Sequence, residues 1–91
     1  MAGVVEAVGP GVTQFQPGDA VYGDLSGVGS GGLAEYVSAP ERVWAHLPNG
    51  IPFEQAAAVP MAAVTALQAL RDKGQLRPGQ RVLIHGASGG V

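Results

Sequence analysis

Hydrophobic positions follow two different rhythms along the chain. Up to residue 50 they come in short runs separated by turns. The first run, residues 2–8, mixes valines with small residues and suits a strand buried for most of its length, and Gly9-Pro10-Gly11 ends it. Pro17-Gly18-Asp19 puts proline second and glycine third in a turn, the preference of type II geometry, and leads into a strand over residues 20–22. Residues 27–32 form a glycine-rich loop. Apolar and mixed positions then alternate over 33–37 and again over 42–47, until Pro48-Asn49-Gly50 stops the pattern. Four short strands at this spacing predict a barrel or sandwich.

Beyond residue 50 the period becomes helical. Pro52 suits a first helical position and Glu54 a first turn, which predicts a short helix over 53–58, broken at Val59 because Pro60 disfavours the helical conformation just before it. A second helix is expected from Pro60 to about Lys73, capped by Gly74, with Met61, Val64, Leu67 and Leu70 as its buried stripe. The turn Arg77-Pro78-Gly79-Gln80 feeds residues 81–85, a short continuous apolar run of the kind found in central parallel strands. The two Pro-Gly turns share a turn-to-strand device and are no internal repeat.

Composition narrows what this pattern can be. With 46% hydrophobic and 13% charged residues the chain is too apolar for disorder, so its 15 glycines and 7 prolines read as turns, and no Gly-X-Y period points to collagen. A core built from 91 residues without a single cysteine is marginal, which predicts part of something larger. A net charge of −2 offers no field to attract nucleic acid or an anionic membrane, and Arg71 and Lys73 sit where they complement a helix C-terminus. The longest uncharged apolar run, residues 56–70, is too short to span a bilayer and contains Pro60, and no signal peptide is visible. A soluble cytoplasmic protein is expected, in keeping with the absence of cysteine.

The chemistry concentrates at Gly86-Ala87-Ser88-Gly89-Gly90-Val91, directly after the apolar run. Three roles are open to it. Gly86 and Gly89 can be the first members of a dinucleotide-binding spacing, in which glycines let backbone N–H groups approach a pyrophosphate. Residues 86–90 also satisfy G-x-S-x-G, with Ser88 as the nucleophile of a hydrolase elbow. Thirdly, the glycines can simply make a tight turn. A hydrolase elbow lies within an alternating α/β sheet, whereas here β-rich sequence precedes helices and one apolar strand, which favours the dinucleotide role. A P-loop does not fit, because no lysine follows.

Single residues add less. Thr65, inside an apolar helix, has a hydroxyl that either bonds the carbonyl one turn earlier or reaches a cofactor pocket. His46 and His85 are isolated from any metal-ligand spacing and read as packing residues, so no metal site is expected. Tyr22 and Tyr36 offer phenol groups but suit strand packing. Asp19 fixes the Pro-Gly turn, and Asp24 precedes a loop that can rim a site.

Taken in order, these segments resemble the medium-chain dehydrogenase/reductase superfamily, most closely its zinc-free quinone oxidoreductase and enoyl reductase-like branch. The resemblance runs through Gly3-Val4-Val5-Glu6-Ala7-Val8-Gly9, Phe15-Gln16-Pro17-Gly18-Asp19-Ala20-Val21-Tyr22-Gly23, Gly32-Leu33-Ala34-Glu35-Tyr36-Val37, Thr65-Ala66-Leu67-Gln68-Ala69-Leu70 and the stretch from Gly79 to Val91. It implies a β-rich partial GroES-like barrel over residues 1–50, connecting helices over 51–80, and over 81–91 the first strand and loop of a truncated Rossmann α/β domain. It further implies hydride transfer from NADPH to a quinone, enone or related carbonyl acceptor. Thr65 matches the family threonine near the nicotinamide, and Gly86, Ala87, Ser88, Gly89, Gly90 and Val91 match its pyrophosphate loop. Met61 stands where zinc-dependent relatives carry a cysteine ligand, so the resemblance implies no zinc. A small-molecule substrate and a homodimer of the intact protein belong to the same expectation. Because a dinucleotide unit needs about 30 residues and a selector about 20 residues beyond the glycines, the chain is expected to be an internal fragment, inactive alone. A serine hydrolase fragment using Ser88 and a non-enzymatic module retaining the fold are the alternatives.

Overall fold

The structure is a computed structural model that describes residues 1–29 and 31–91; of the predicted glycine-rich loop, Ser30 lies outside the described residues. The chain divides into two compact units, Met1–Pro60 and Met61–Val91.

The first unit is built on a three-stranded antiparallel sheet in the order β1 (Ala2–Val4), β2 (Ala20–Gly23), β3 (Trp44–His46). In β1 and β2, Gly3 faces Val21; in β2 and β3, Tyr22 faces Ala45. Backbone bonds extend both ladders. The Gly23 N–H donates to the Met1 carbonyl at 2.9 Å, the Val5 N–H to the Asp19 carbonyl at 2.9 Å, and the Leu47 N–H to the Ala20 carbonyl at 2.8 Å. The Gly18 N–H also donates to the Val5 carbonyl, so two residues of the Pro-Gly turn oppose Val5 and bend the chain into β2. Gly18 has φ +97°, which the expected type II turn requires. Asp19 fixes this turn as foreseen, its carboxylate accepting the Gln16 N–H at 2.9 Å.

Gly23 is indispensable for a different reason. A Cβ there would overlap the Val43 carbonyl oxygen and stand 2.9 Å from Trp44 Cε3, so only glycine lets β2 pass beneath the start of β3. A 3₁₀ turn, Glu41–Val43, brings the chain into β3. Val21, 5% exposed at the centre of the sheet, and Ala56, 1% exposed, form the apolar centre of this unit.

The sheet does not close, which corrects the expected barrel. Residues 33–37 are bent and exposed and pair with no strand among the described residues. Their alternation is weak, with Leu33 and Glu35 sharing one face, so neither face rewards burial over the backbone entropy that pairing would cost. The first strand is likewise shorter than predicted, ending at Val4, because Gly9-Pro10-Gly11 and the turn at Gly18 give residues 6–8 no partner.

One helix replaces the two expected. α1 (Phe53–Leu67) runs through Pro60 and continues as a wider π-helical turn, Gln68–Lys73. Proline removes one helical hydrogen bond and disfavours the helical conformation at Val59 without forbidding it, and the alanines on either side are the strongest helix formers. Gly74 caps the segment as expected, its N–H donating to the Ala69 carbonyl at 2.7 Å, and Leu76 N–H reaches the Leu70 carbonyl at 2.9 Å. The left-handed residue of this cap is Gln75, φ +48°.

The stripe Met61, Val64, Leu67 and Leu70, predicted buried, is exposed. So are residues 82–84, which form no strand, in contrast to the expected first Rossmann strand. The cause is common to both: an apolar face or an extended run becomes buried only against a second layer or a neighbouring strand, and the second unit supplies neither among the described residues.

Candidate functional site

The glycine loop keeps a defined turn despite the missing strand. Gly86 adopts φ +77°, and the Gly89 N–H donates to the Gly86 carbonyl at 3.1 Å, closing a turn through Ala87 and Ser88. A Cβ on Gly86 or Gly90 would meet nothing within 4 Å, so the loop is open on its outer side. The backbone N–H groups of Ala87, Ser88, Gly90 and Val91 carry no partner among the described residues. Unpaired, exposed backbone donors on small residues suit an anionic group such as a pyrophosphate. The Ser88 hydroxyl donates to no histidine or carboxylate among the described residues, so nothing there activates it.

Thr65 makes the local bond that its position allows: its Oγ1 donates to the Met61 carbonyl at 2.7 Å. Among the described residues no hydrogen bond joins Thr65 to residues 86–91. His85 is exposed at the start of the loop.

The first unit contains an open groove of about 590 Å³ between residues 1–9 and 34–39, with Phe15, Val21 and Trp44 at its base. Tyr36 lines it, while Tyr22 packs half-buried in β2. Two side chains, Glu41, which pattern reading missed, and His46, hold the loop that brings Phe15 to the base of the groove. Glu41 accepts the backbone N–H groups of Thr13, at 2.9 Å, and of Gln14, clamping the loop that carries Phe15. His46, read from sequence as structural, holds the other side of that loop: its Nε2 lies 3.0 Å from the Gln14 carbonyl, its ring 4.7 Å from that of Phe15, and its Nδ1 4.0 Å from Asp19 Oδ2.

Asp24 caps the next turn through both the N–H and the hydroxyl of Ser26, each at 2.9 Å, and these bonds hold its carboxyl below the ordinary range. The Asp72 carboxyl is lowered in the same way by its hydrogen bonds from Arg71. No three His, Cys, Asp or Glu side chains gather as a metal site, and no helix is long and apolar enough to cross a membrane, among the described residues.

An antiparallel sheet entered through a Pro-Gly turn is the part of the expected GroES-like module that residues 1–50 form. Residues 1–49 match the alcohol dehydrogenase GroES-like domain. The chain therefore belongs to that family and, through it, to the medium-chain dehydrogenase/reductase superfamily.

Its relatives come from two kinds of protein. It is 43% identical over 91 residues to the quinone oxidoreductase of Homo sapiens, which covers all of this chain and 27% of the relative. It is 50% identical over 90 residues to the pikromycin polyketide synthase component PikAII of Streptomyces venezuelae, covering 99% of this chain and 2% of the relative. A mycocerosic acid synthase-like polyketide synthase of Mycobacterium tuberculosis is 46% identical over 90 residues, covering 99% of this chain and 4% of that protein. The chain thus spans about a quarter of the curated quinone oxidoreductase and a few per cent of the synthases. No solved structure matches it. These relatives favour neither a hydrolase nor a non-enzymatic module.

Proposed function

We propose that this chain is the part of an NADPH-dependent, zinc-free reductase that joins the GroES-like domain to the start of the nucleotide-binding domain, and that the whole protein reduces a quinone, enone or related activated carbonyl. The observation that carries this reading is the likeness, across essentially the full chain, to a quinone oxidoreductase and to polyketide synthases alike. Proteins so different in size share this segment most simply if it serves one reaction type. When bound, the nicotinamide supplies the hydride.

The chain's own contribution is binding and placement. The free N–H groups of residues 87–88 and 90–91 would hold the pyrophosphate, with Gly86, Gly89 and Gly90 keeping side chains out of its way. Thr65 would stand beside the nicotinamide with its hydroxyl already oriented by Met61. Met61 is a poor zinc ligand beside the thiolate it would replace, in keeping with a zinc-free site. NADPH and the absence of cysteine suit a cytoplasmic enzyme, and a homodimer of the longer protein belongs to the same reading.

A chimera tests it. Replacing the matching region of the Homo sapiens quinone oxidoreductase with these 91 residues is expected to retain NADPH-dependent quinone reduction, and Gly89→Val in that chimera to raise the Kd for NADPH about tenfold or more. A folded chimera without NADPH binding would refute the reading; unchanged affinity in Gly89→Val would remove the loop from it.

A further inference from the structure

Pro48-Asn49-Gly50, the turn between β3 and α1, holds the single asparagine of the chain, followed directly by glycine. Proline fixes its own φ, and Gly50 adopts φ +84°, a left-handed conformation that residues with a Cβ rarely take. Asn49 and Gly50 are both exposed, and a Cβ built on Gly50 would meet nothing within 4 Å.

The other turns with a comparable side chain are locked. Asp19 accepts the Gln16 N–H, and Asp24 engages both the N–H and the hydroxyl of Ser26. At Asn49 nothing does the same: neither its carboxamide nor the Gly50 N–H makes a hydrogen bond among the described residues. An electrophilic carbon, Asn49 Cγ, and a backbone nitrogen, that of Gly50, are thus left tethered a few bonds apart, with no Cβ on the glycine to keep them separate. Such a tether gives the nitrogen a high effective concentration at the carbon.

We propose that Asn49-Gly50 is a site of spontaneous deamidation in the folded chain, with water as the only co-reactant. The Gly50 nitrogen, once its proton has passed to a base in the solvent, attacks Asn49 Cγ. The N–Cγ bond forms, the Cγ–Nδ2 bond breaks, and the departing nitrogen takes a proton back from the solvent and leaves as ammonia. The cyclic imide that results then takes up water. Opening at Cγ gives aspartate, whereas opening at the main-chain carbonyl carbon gives isoaspartate, in which the chain runs through the former side chain. No electrons are gained or lost. Either product adds a negative charge to a chain whose net charge is already −2. Isoaspartate also puts an extra carbon into the main chain between Leu47, whose N–H bonds the Ala20 carbonyl at 2.8 Å, and Ala56, which is 1% exposed. No part of the reductase reading is needed for this chemistry.

Mass spectrometry of the aged chain is the test. Trypsin releases residues 43–71 as one peptide, which should gain about 1 Da, and its fragment ions should place the gain at Asn49 and not at Gln55 or Gln68. Conversion should quicken as pH rises, as a deprotonated nitrogen nucleophile requires. A synthetic peptide of residues 46–53 should convert within about tenfold of the rate of the folded chain, because the fold restrains neither group. Gly50→Ala should slow conversion at least about tenfold, in the chain and equally in the peptide, where folding plays no part. A folded chain more than about tenfold slower than the peptide would overturn the proposal. So would a rate indifferent to pH, or a Gly50→Ala peptide that converts as fast as the original.

Discussion

The two compact units differ in the reach of what holds them. In Met1–Pro60 the backbone of residue 5 is tied to residue 19, residue 20 to residue 47, and the Glu41 carboxylate reaches back to residues 13 and 14. In Met61–Val91 the hydrogen bonds among the described residues are local, such as Thr65 to Met61, Gly74 to Ala69, Leu76 to Leu70 and Gly89 to Gly86. A segment stapled by distant partners unfolds as a whole, whereas one built from local turns frays piece by piece. The sheet unit is therefore expected to protect its amides against hydrogen exchange, and residues 75–91 to exchange freely.

The substitution expected to erase this contrast most completely is Gly23→Val. The new side chain collides with the backbone at Val43 and with Trp44, forcing β2 and β3 apart, at a cost of about 3 kcal/mol or more. Protection in the first unit should then drop to that of the second; protection that survives would mean the sheet does not depend on this close passage. Glu41→Ala acts more narrowly. It removes the acceptor for two backbone donors, costing about 1 kcal/mol, and should accelerate exchange at Thr13 and Gln14 while leaving β2 protected.

The opposite move strengthens the weaker unit. Gln75 holds a left-handed conformation that glycine adopts without a Cβ penalty, so Gln75→Gly should stabilise the end of the helical segment by about 0.5–1 kcal/mol, read as slower exchange at Leu76. The smallest effect concerns acidity. Because hydrogen bonds from Ser26 lower the Asp24 carboxyl in the folded state, that turn is favoured above the ordinary carboxylate range and is lost as pH falls through the lowered value. An amide titration should show Ser26 shifting in step with Asp24, and Asp24→Asn should abolish the coupling.

The same difference in reach explains how much was legible in the residues. The turn at Pro17-Gly18, the cap at Gly74 and the Thr65 hydroxyl bond depend on neighbours within one turn, and pattern reading found them. β2 and β3 were legible because both have partners to pair with. Residues 82–84 carry equally good strand chemistry and residues 33–37 a weaker alternation, but a strand is a property of two segments, and both lack a neighbour among the described residues. Pro60 marks a boundary only when the surrounding turns are weak helix formers, and here alanines stand at 56–58 and 62–63. Glu41 left no trace in the pattern because its partners lie 27 and 28 residues away. The candidate loop was located by its glycines; its backbone donors became visible only with the fold.

The side chain of His46 has a spectroscopic consequence. A carbonyl oxygen can only accept, so the contact between Nε2 and the Gln14 carbonyl requires a proton on that nitrogen whatever the ring's charge. The neutral imidazole is thereby confined to a single tautomer, its lone pair left on the nitrogen that faces Asp19. Nitrogen-15 shifts of this ring would report whether the loop bearing Phe15 is docked, making one histidine a built-in gauge of the groove's shape.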